Sequence, residues 1–107
     1  SGKSCRDYTY INDIVEGVIN ALDRVKQFAI YNLGESSPIN LSDLVLTIEQ
    51  AVGKKAITKY LPDQPGDVPI TFADISLAKA ELDFNPKTDI KTGISYFVDW
   101  YKEKFIR

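Results

Sequence analysis

The residues best suited to chemistry stand near the start of the chain. Arg6, Asp7 and Tyr8 are followed by Asp13, and the run leads directly into an amphipathic helix. A guanidinium fork beside the backbone N–H groups of a helix start favours a bound anion. The run therefore predicts an anion clamp with Arg6 as its cation. The alternative is a surface Arg6–Asp7 ion pair, which contributes little to stability.

A second candidate segment covers residues 61–73. Three prolines and a glycine fall between positions 62 and 69, which indicates a stiff loop instead of a helix or a central strand. Its polar side chains include Gln64 and Asp67. The alternative is an ordered connector whose prolines reduce the entropy of the unfolded chain.

Several reaction classes are excluded by the residues that the sequence lacks. Histidine is absent and Cys5 is the single cysteine, so no Ser-His-Asp or Cys-His pair, no zinc ligand set and no internal disulfide can form. The six glycines are scattered, which excludes a GxGxxG segment or a P-loop. No tyrosine is followed by a lysine four residues later. The sequence therefore predicts no catalytic, cofactor-binding or metal-binding residue.

Composition describes an ordinary globular domain. The chain has 107 residues, 44% of them hydrophobic, which suits one domain. Thirteen basic residues against fifteen acidic ones leave no electrostatic footprint for nucleic acid. No apolar stretch approaches about eighteen residues and no signal-peptide pattern is present, so the prediction is a cytoplasmic protein without membrane contact.

The hydrophobic pattern predicts an α/β chain of about four helices and two to three short strands. Helices are predicted over residues 11–24, from an N-cap at Asn40 to a stop at Gly53, from an N-cap at Asp74, and from Asp89 onward. Strands are predicted over residues 28–33 and 56–61. Gly17 lies inside the first helix and predicts close packing there, because glycine costs a helix about 1 kcal/mol.

The predicted strand at residues 28–33 is apolar on both faces and is typical of a buried parallel sheet. The other strands of such a sheet are not found in these 107 residues. An unpaired apolar strand also predicts self-association, so a homo-oligomer is expected.

Taken in order, these segments resemble the C-terminal part of the extended short-chain dehydrogenase/reductases, the NAD-dependent family of nucleotide-sugar epimerases and dehydratases. The resemblance covers nearly the whole chain. It is carried by Gly2, Arg6, Asp7, Tyr8, Tyr10, Ile11 and Asp13, then Tyr31, Asn32, Leu33 and Gly34, and finally Gly66, Asp67, Ala73, Asp74, Ile75, Ser76, Ala78, Lys79, Leu82, Pro86, Gly93, Trp100 and Tyr101. The sequence of residues 61–69 most resembles the corresponding segment of bacterial UDP-glucuronate 4-epimerases of capsule and surface-polysaccharide synthesis.

The resemblance implies a reaction and a substrate site. Such enzymes hold NAD, oxidise the sugar at C4 with the help of a tyrosine base, and return hydride to the other face of the 4-keto sugar. Arg6 is expected to bind the UDP diphosphate, and the loop with Gln64, Gly66 and Asp67 is expected to close over the nucleotide. Many members carry an arginine where Gln64 stands, and a neutral donor binds phosphate more weakly.

The family's dinucleotide-binding glycines, its Tyr-x-x-x-Lys pair and most of its Rossmann sheet have no counterpart in residues 1–107. The expectation is therefore a C-terminal substrate-binding region that is inactive alone and has a UDP-sugar and a missing N-terminal Rossmann region as partners. Two alternatives stay open. One is the same region of a nucleotide-sugar 4,6-dehydratase, and the other is a non-catalytic α/β interaction module.

Overall fold

A computed structural model describes residues 3–26, 28–62 and 64–106, which leaves Gly2 and Asp63 of the predicted segments outside the described residues. Within these residues the structure has four helices and two short strands, which pair as one sheet. They are β1 (Cys5–Arg6), α1 (Ile11–Asp23), β2 (Ile39–Asn40), α2 (Leu41–Val52), α3 (Ser76–Leu82) and α4 (Ile90–Phe105). The predicted α/β class and the number of helices are confirmed.

Local side-chain chemistry sets the ends of two helices as predicted. The Asn40 side chain accepts a hydrogen bond of 2.8 Å from the Asp43 N–H and caps α2. Gly53 ends α2 in the left-handed region, at φ +82°, where a residue with a Cβ is strained. Asp89 caps α4 in the same manner as Asn40, by accepting from the Thr92 N–H at 2.8 Å.

The predicted N-cap of α3 is wrong by one residue. Ile75 is the N-cap and makes no side-chain hydrogen bond there. The Asp74 carboxylate instead accepts from the N–H of Ser76 at 3.0 Å and from its hydroxyl at 2.6 Å. An aspartate readily bonds the N–H two residues on, and this local turn takes the place of the cap.

Both predicted strands are wrong. The structure assigns no strand to residues 28–33 or 56–61, and Phe28 and Ile30 are 80% and 71% exposed. An extended apolar segment becomes a strand only beside another strand that completes its hydrogen bonds, and the described part of the chain offers these segments none. The sheet forms elsewhere, by antiparallel pairing of Cys5 with Asn40 and of Arg6 with Ile39.

The core lies where α3 packs beneath α1. It consists of four buried side chains, Ile75, Ala78, Leu82 and Phe84, with Ala21, Tyr31, Leu33 and Ala73 packed against them. The apolar face of α2 is only partly covered, since Leu41 is 40% and Ile48 is 38% exposed. One side of α2 packs on α4, and the other side opens onto the groove described below.

Gly17 of α1 packs closely against Leu33 and Phe84, as predicted. A Cβ at this position would lie 2.8 and 2.9 Å from the two methyl carbons of Leu33 and 3.2 Å from the Phe84 ring. We expect Gly17→Ala to lower the free energy of unfolding by about 1 kcal/mol, because overpacking outweighs the gain in helix propensity. Urea denaturation measures the change.

Gly93→Ala in α4 is the matched control, because its Cβ would meet only the Tyr10 side chain and Thr88, at 3.4 Å or more. This substitution is expected to stabilise the chain by up to about 1 kcal/mol. A Gly17→Ala variant as stable as Gly93→Ala would contradict the close packing.

No helix in the described ranges is both long enough and apolar enough to span a membrane.

Candidate functional site

A groove of about 760 Å³ lies between β1, one face of α2 and the segment that follows α2. Its lining mixes charged, aromatic and aliphatic side chains, the composition of a small-molecule site with a few placed polar groups. The residues around it are Ser4, Arg6, Tyr8, Leu41, Ser42, Val45, Leu46, Glu49, Ala56, Thr58, Lys59, Tyr60, Leu61, Pro62, Gln64 and Asp67.

All three residues predicted to bind substrate line this one groove. Arg6 comes from β1, whereas Gln64 and Asp67 come from the loop far along the chain. The fold therefore brings together two segments that the sequence could only propose as partners. In the groove, the cationic side chain of Arg6 and the polar loop with Gln64 and Asp67 come together. That these residues bind a ligand stays a prediction.

Backbone pairing on both sides of β1 fixes the position of Arg6. Cys5 pairs with β2 and also bridges to Ile70, since its N–H donates to the Pro69 carbonyl at 2.9 Å and its carbonyl accepts from the Thr71 N–H at 3.1 Å. The Arg6 guanidinium donates from Nη1 to the Cys5 carbonyl at 2.7 Å. One of the five guanidinium N–H groups of Arg6 thus donates within the chain, and the other groups can donate to a bound anion.

The alternative interpretation of Arg6 and Asp7 as a surface ion pair is wrong. The Asp7 carboxylate accepts hydrogen bonds from three backbone N–H groups. Oδ2 accepts from Ser36 at 2.9 Å and from Ala73 at 3.1 Å, and Oδ1 accepts from Ser37 at 3.2 Å. None of the ion pairs found among the described residues includes Arg6.

The polar loop is held by a tight turn. The Asp67 N–H donates to the Gln64 carbonyl at 3.2 Å, and Gly66 has φ +87°. Pro65 and a positive-φ glycine occupy the second and third positions, the pattern of a type II turn. This turn places the side chains of Gln64 and Asp67 at its two ends, both beside the groove.

A carboxyl pair that the sequence did not reveal, Asp13 and Glu35, lies outside the groove. Asp13, 3% exposed, accepts from the N–H groups of Lys87 and Thr88 at 3.2 and 3.0 Å. Oε1 of the neighbouring Glu35 is buried and meets no donor in the described part of the chain. Burial alone would raise the pKa of Asp13, but the hydrogen bonds from Glu35, Thr88 and Lys87 outweigh it and lower that pKa.

The same contact has the opposite effect on the other carboxyl group. Burial, followed by the hydrogen bond and the negative charge of Asp13, raises the pKa of Glu35 to about 8. The charges of Asp7 and Asp89 act in the same direction. Glu35 is therefore the protonated member of the pair at neutral pH and donates its proton to Asp13.

Sequence reasoning missed these features for a definable reason. Glu35 stands in a loop beside two serines and a proline, where a solvated glutamate is the ordinary expectation. Glu49 and Lys59 line the groove without any local pattern that marks them. Glu49 also holds the groove wall, since its Oε2 accepts from the Ala56 N–H at 2.6 Å. Only the packing of distant segments identifies such residues.

Comparison with known families fits this arrangement of β1, groove and polar loop. The sequence model of the GDP-mannose 4,6 dehydratase family matches residues 1–97. The chain belongs to this dehydratase family. Within it, the resemblance to the C-terminal portion of nucleotide-sugar epimerases, and to UDP-glucuronate 4-epimerases in particular, is confirmed.

Two relatives of this dehydratase-family chain show which portion it represents. UDP-glucuronate 4-epimerase 4 of Arabidopsis thaliana is 44% identical over 115 residues, which cover 94% of the chain and 26% of the relative. Protein CapI of Staphylococcus aureus is 34% identical, with 97% of the chain and 36% of the relative covered. The chain thus spans about a third or less of the curated relatives it matches.

The fold agrees with a solved structure. The UDP-glucuronic acid 4-epimerase of Bacillus cereus, in complex with UDP-glucuronic acid and NAD, superposes with a TM-score of 0.89 at 30% identity. The match covers 98% of the chain and 34% of the Bacillus protein. The sparse sheet of this dehydratase-family chain is therefore the arrangement found in part of a larger enzyme.

Proposed function

We propose that residues 1–107 form the nucleotide-sugar-binding part of an NAD-dependent UDP-glucuronate 4-epimerase. The observation that carries this proposal is the convergence of Arg6, Gln64 and Asp67 on one groove of about 760 Å³. A groove of this volume accommodates a nucleotide. The similarity to UDP-glucuronate 4-epimerases at up to 44% identity supports UDP-glucuronate as the substrate.

The groove offers a distinct group to each part of a UDP-sugar. Arg6 supplies a guanidinium, which binds a diphosphate with charge-assisted and bidentate hydrogen bonds. The Gln64 amide and the Asp67 carboxylate suit the hydroxyl and N–H groups of a nucleoside. Tyr8, 37% exposed at the groove, adds an aromatic surface. The chain thus contributes binding and orientation to the reaction, and no step of bond making.

These residues do not fit a site for NAD. Dinucleotide binding in open α/β folds uses a glycine-rich turn at a helix start, and the glycines of this chain lie singly at positions 2, 17, 34, 53, 66 and 93. When bound, NAD supplies the hydride acceptor and donor of a 4-epimerase. We propose that a Rossmann region outside these 107 residues holds it together with the tyrosine base, and that the chain alone is inactive.

The exposed surface supports such a partner. The apolar stripe of α1 lies open, although it is the face that an amphipathic helix normally buries. The radius of gyration is 16.4 Å, against about 13 Å for a compact chain of this length. The exposed fractions are 66% at Ile11, 46% at Val15, 48% at Val18, 51% at Ile19 and 68% at Leu22. A Rossmann sheet that packs on this stripe would bury it and would give residues 28–33 their missing strand neighbours.

Titration of the chain with UDP tests the proposed function. In a two-dimensional NMR titration, UDP is expected to shift the amide signals of groove residues and to bind weakly, because half of the site is supplied elsewhere. Arg6→Ala is expected to weaken binding about tenfold, the loss of one charge-assisted contact.

Arg24→Ala is the matched control. Arg24 lies outside the groove, and its Nη2 pairs with Asp83 Oδ2 at a distance of 2.9 Å. No UDP-induced shift in the wild-type chain, or equal losses for the two arginine variants, would contradict the proposed function.

The family match favours one further candidate, the same region of a nucleotide-sugar 4,6-dehydratase. The product formed by the longer protein separates the two, since a dehydratase releases water and leaves a 4-keto-6-deoxy sugar. If no nucleotide binds in the titration, the chain is better explained as a non-catalytic interaction module. A role in surface-polysaccharide synthesis, a cytoplasmic location and a homo-oligomeric state stay predictions.

A further inference from the structure

Asp7 is the neighbour of Arg6 but is not among the groove residues, and its carboxylate binds the backbone of two other segments. Oδ2 accepts from the N–H groups of Ser36 and Ala73, and Oδ1 accepts from that of Ser37, at distances between 2.9 and 3.2 Å. Three backbone donors on one carboxylate form a strong, directional junction, since hydrogen bonds to an ionised acceptor are about twice as strong as neutral ones.

The two segments that Asp7 joins lead along the chain to two different sides of the groove. Ser37 lies just before β2, which pairs with the strand that carries Arg6. Ala73 lies just after Thr71, whose N–H donates to Cys5, and this stretch continues back to the Gln64–Asp67 turn. The Asp7 side chain therefore connects the segment before β2, the partner of the Arg6 strand, with the segment that leads back to the Gln64–Asp67 turn.

Gly34 makes this junction possible. A Cβ at this position would lie 2.8 Å from Asp7 Oδ2 and 2.9 Å from the Ala73 Cβ. Gly34 is buried, and its conformation is not one that only glycine adopts. The requirement for glycine therefore comes from the space that the Asp7 carboxylate occupies.

We propose that Asp7 is a positioning residue, which sets the distance of the Arg6 guanidinium from the Gln64–Asp67 turn and thereby the affinity for a diphosphate. The inference rests on the proposed function of the groove. Asp7 itself touches no ligand, because its three hydrogen bonds direct the carboxylate into the junction. Asp7 affects the position of the Arg6 guanidinium through the backbone segments that its carboxylate holds together.

Binding of UDP and of uridine to the full chain tests this role. Asp7→Asn replaces one acceptor oxygen with an NH2 group that faces a backbone N–H donor, so the junction is expected to open. The Kd for UDP is expected to rise about tenfold while the Kd for uridine changes less than about twofold, because only UDP depends on Arg6. Gly34→Ala is a second, independent variant, and it is expected to reduce the preference for UDP over uridine in the same direction.

Asp13→Asn is the control for a purely structural role. Asp13 is also an aspartate that accepts backbone N–H groups, and it lies outside the groove. This variant is expected to lower Tm and to leave the ratio of the two Kd values unchanged. An unchanged ratio in both Asp7→Asn and Gly34→Ala, with UDP still bound in an Arg6-dependent manner, overturns the role of Asp7 and leaves the proposed function intact. Absence of UDP binding in the wild-type chain overturns both.

Discussion

Replacing Asp13 with alanine is expected to lower the free energy of unfolding by about 3 kcal/mol. The carboxylate is 3% exposed and is the acceptor for the N–H groups of Lys87 and Thr88. Its removal leaves two part-buried donors without a partner, and it leaves the Glu35 carboxyl without the group that takes its proton. Each such loss costs about 1 to 3 kcal/mol. Urea denaturation at pH 6, with the m-value fitted freely, measures the change.

Asp23 provides the matched control on the same helix. It is exposed and lies in the last turn of α1, where a negative charge opposes the helix dipole. Asp23→Ala is expected to change the free energy of unfolding by less than about 0.5 kcal/mol. An Asp13→Ala variant that loses less than about 1 kcal/mol would show that the links from α1 to residues 87 and 88 carry little of the stability.

Replacing Glu35 with glutamine is expected to remove a pH dependence of stability. The pKa of Glu35 is raised from 4.5 to about 8 in the folded chain, so between these values the folded state holds a proton that the unfolded state has released. Stability then falls as pH rises through this window and levels off above it. The wild type is expected to lose about 2 kcal/mol relative to the variant between pH 5 and pH 8, less than full linkage because the carboxyl group is partly open to water.

Glutamine preserves the hydrogen bond to Asp13, because its NH2 group donates where the protonated carboxyl group does, but it does not titrate. The measurement is the free energy of unfolding of both proteins at half-unit pH intervals from 5 to 9. Glu103→Gln, an exposed substitution in α4 with the same change of charge, is the control and should parallel the wild type. Parallel curves for Glu35→Gln and the wild type would falsify the assignment of the proton to Glu35.

Asp13 does not disturb this window. Its pKa is lowered below the ordinary value of 3.8, so the stability it contributes is lost only as pH falls below about 4. The two members of the pair therefore act in separate pH ranges, Asp13 in acid and Glu35 from slightly acidic to slightly alkaline solution. A stability maximum near pH 5 is the combined expectation.

Features set by neighbouring residues were predictable from the sequence. The Asn40 cap, the Gly53 stop and the start of α4 at Asp89 all depend on contacts within four residues, so the residue types suffice. The motif series around Arg6 and the Gln64–Asp67 loop was sufficient to indicate the family, because each piece depends on a short local run. The cap of α3 was misplaced by one residue, since Asp74 satisfies its carboxylate in a competing local turn.

The tertiary structure alone decided which segments meet. Residues 28–33 have the composition of a buried strand, yet a strand exists only where a second one completes its hydrogen bonds, and that partner is not among the described residues. The contacts of Asp7 with Ala73 and of Asp13 with Thr88 join positions 66 and 75 residues apart. Local sequence carries no record of such pairings, because they arise from the packing of whole elements, and they determine both the groove and the ionisation of Glu35.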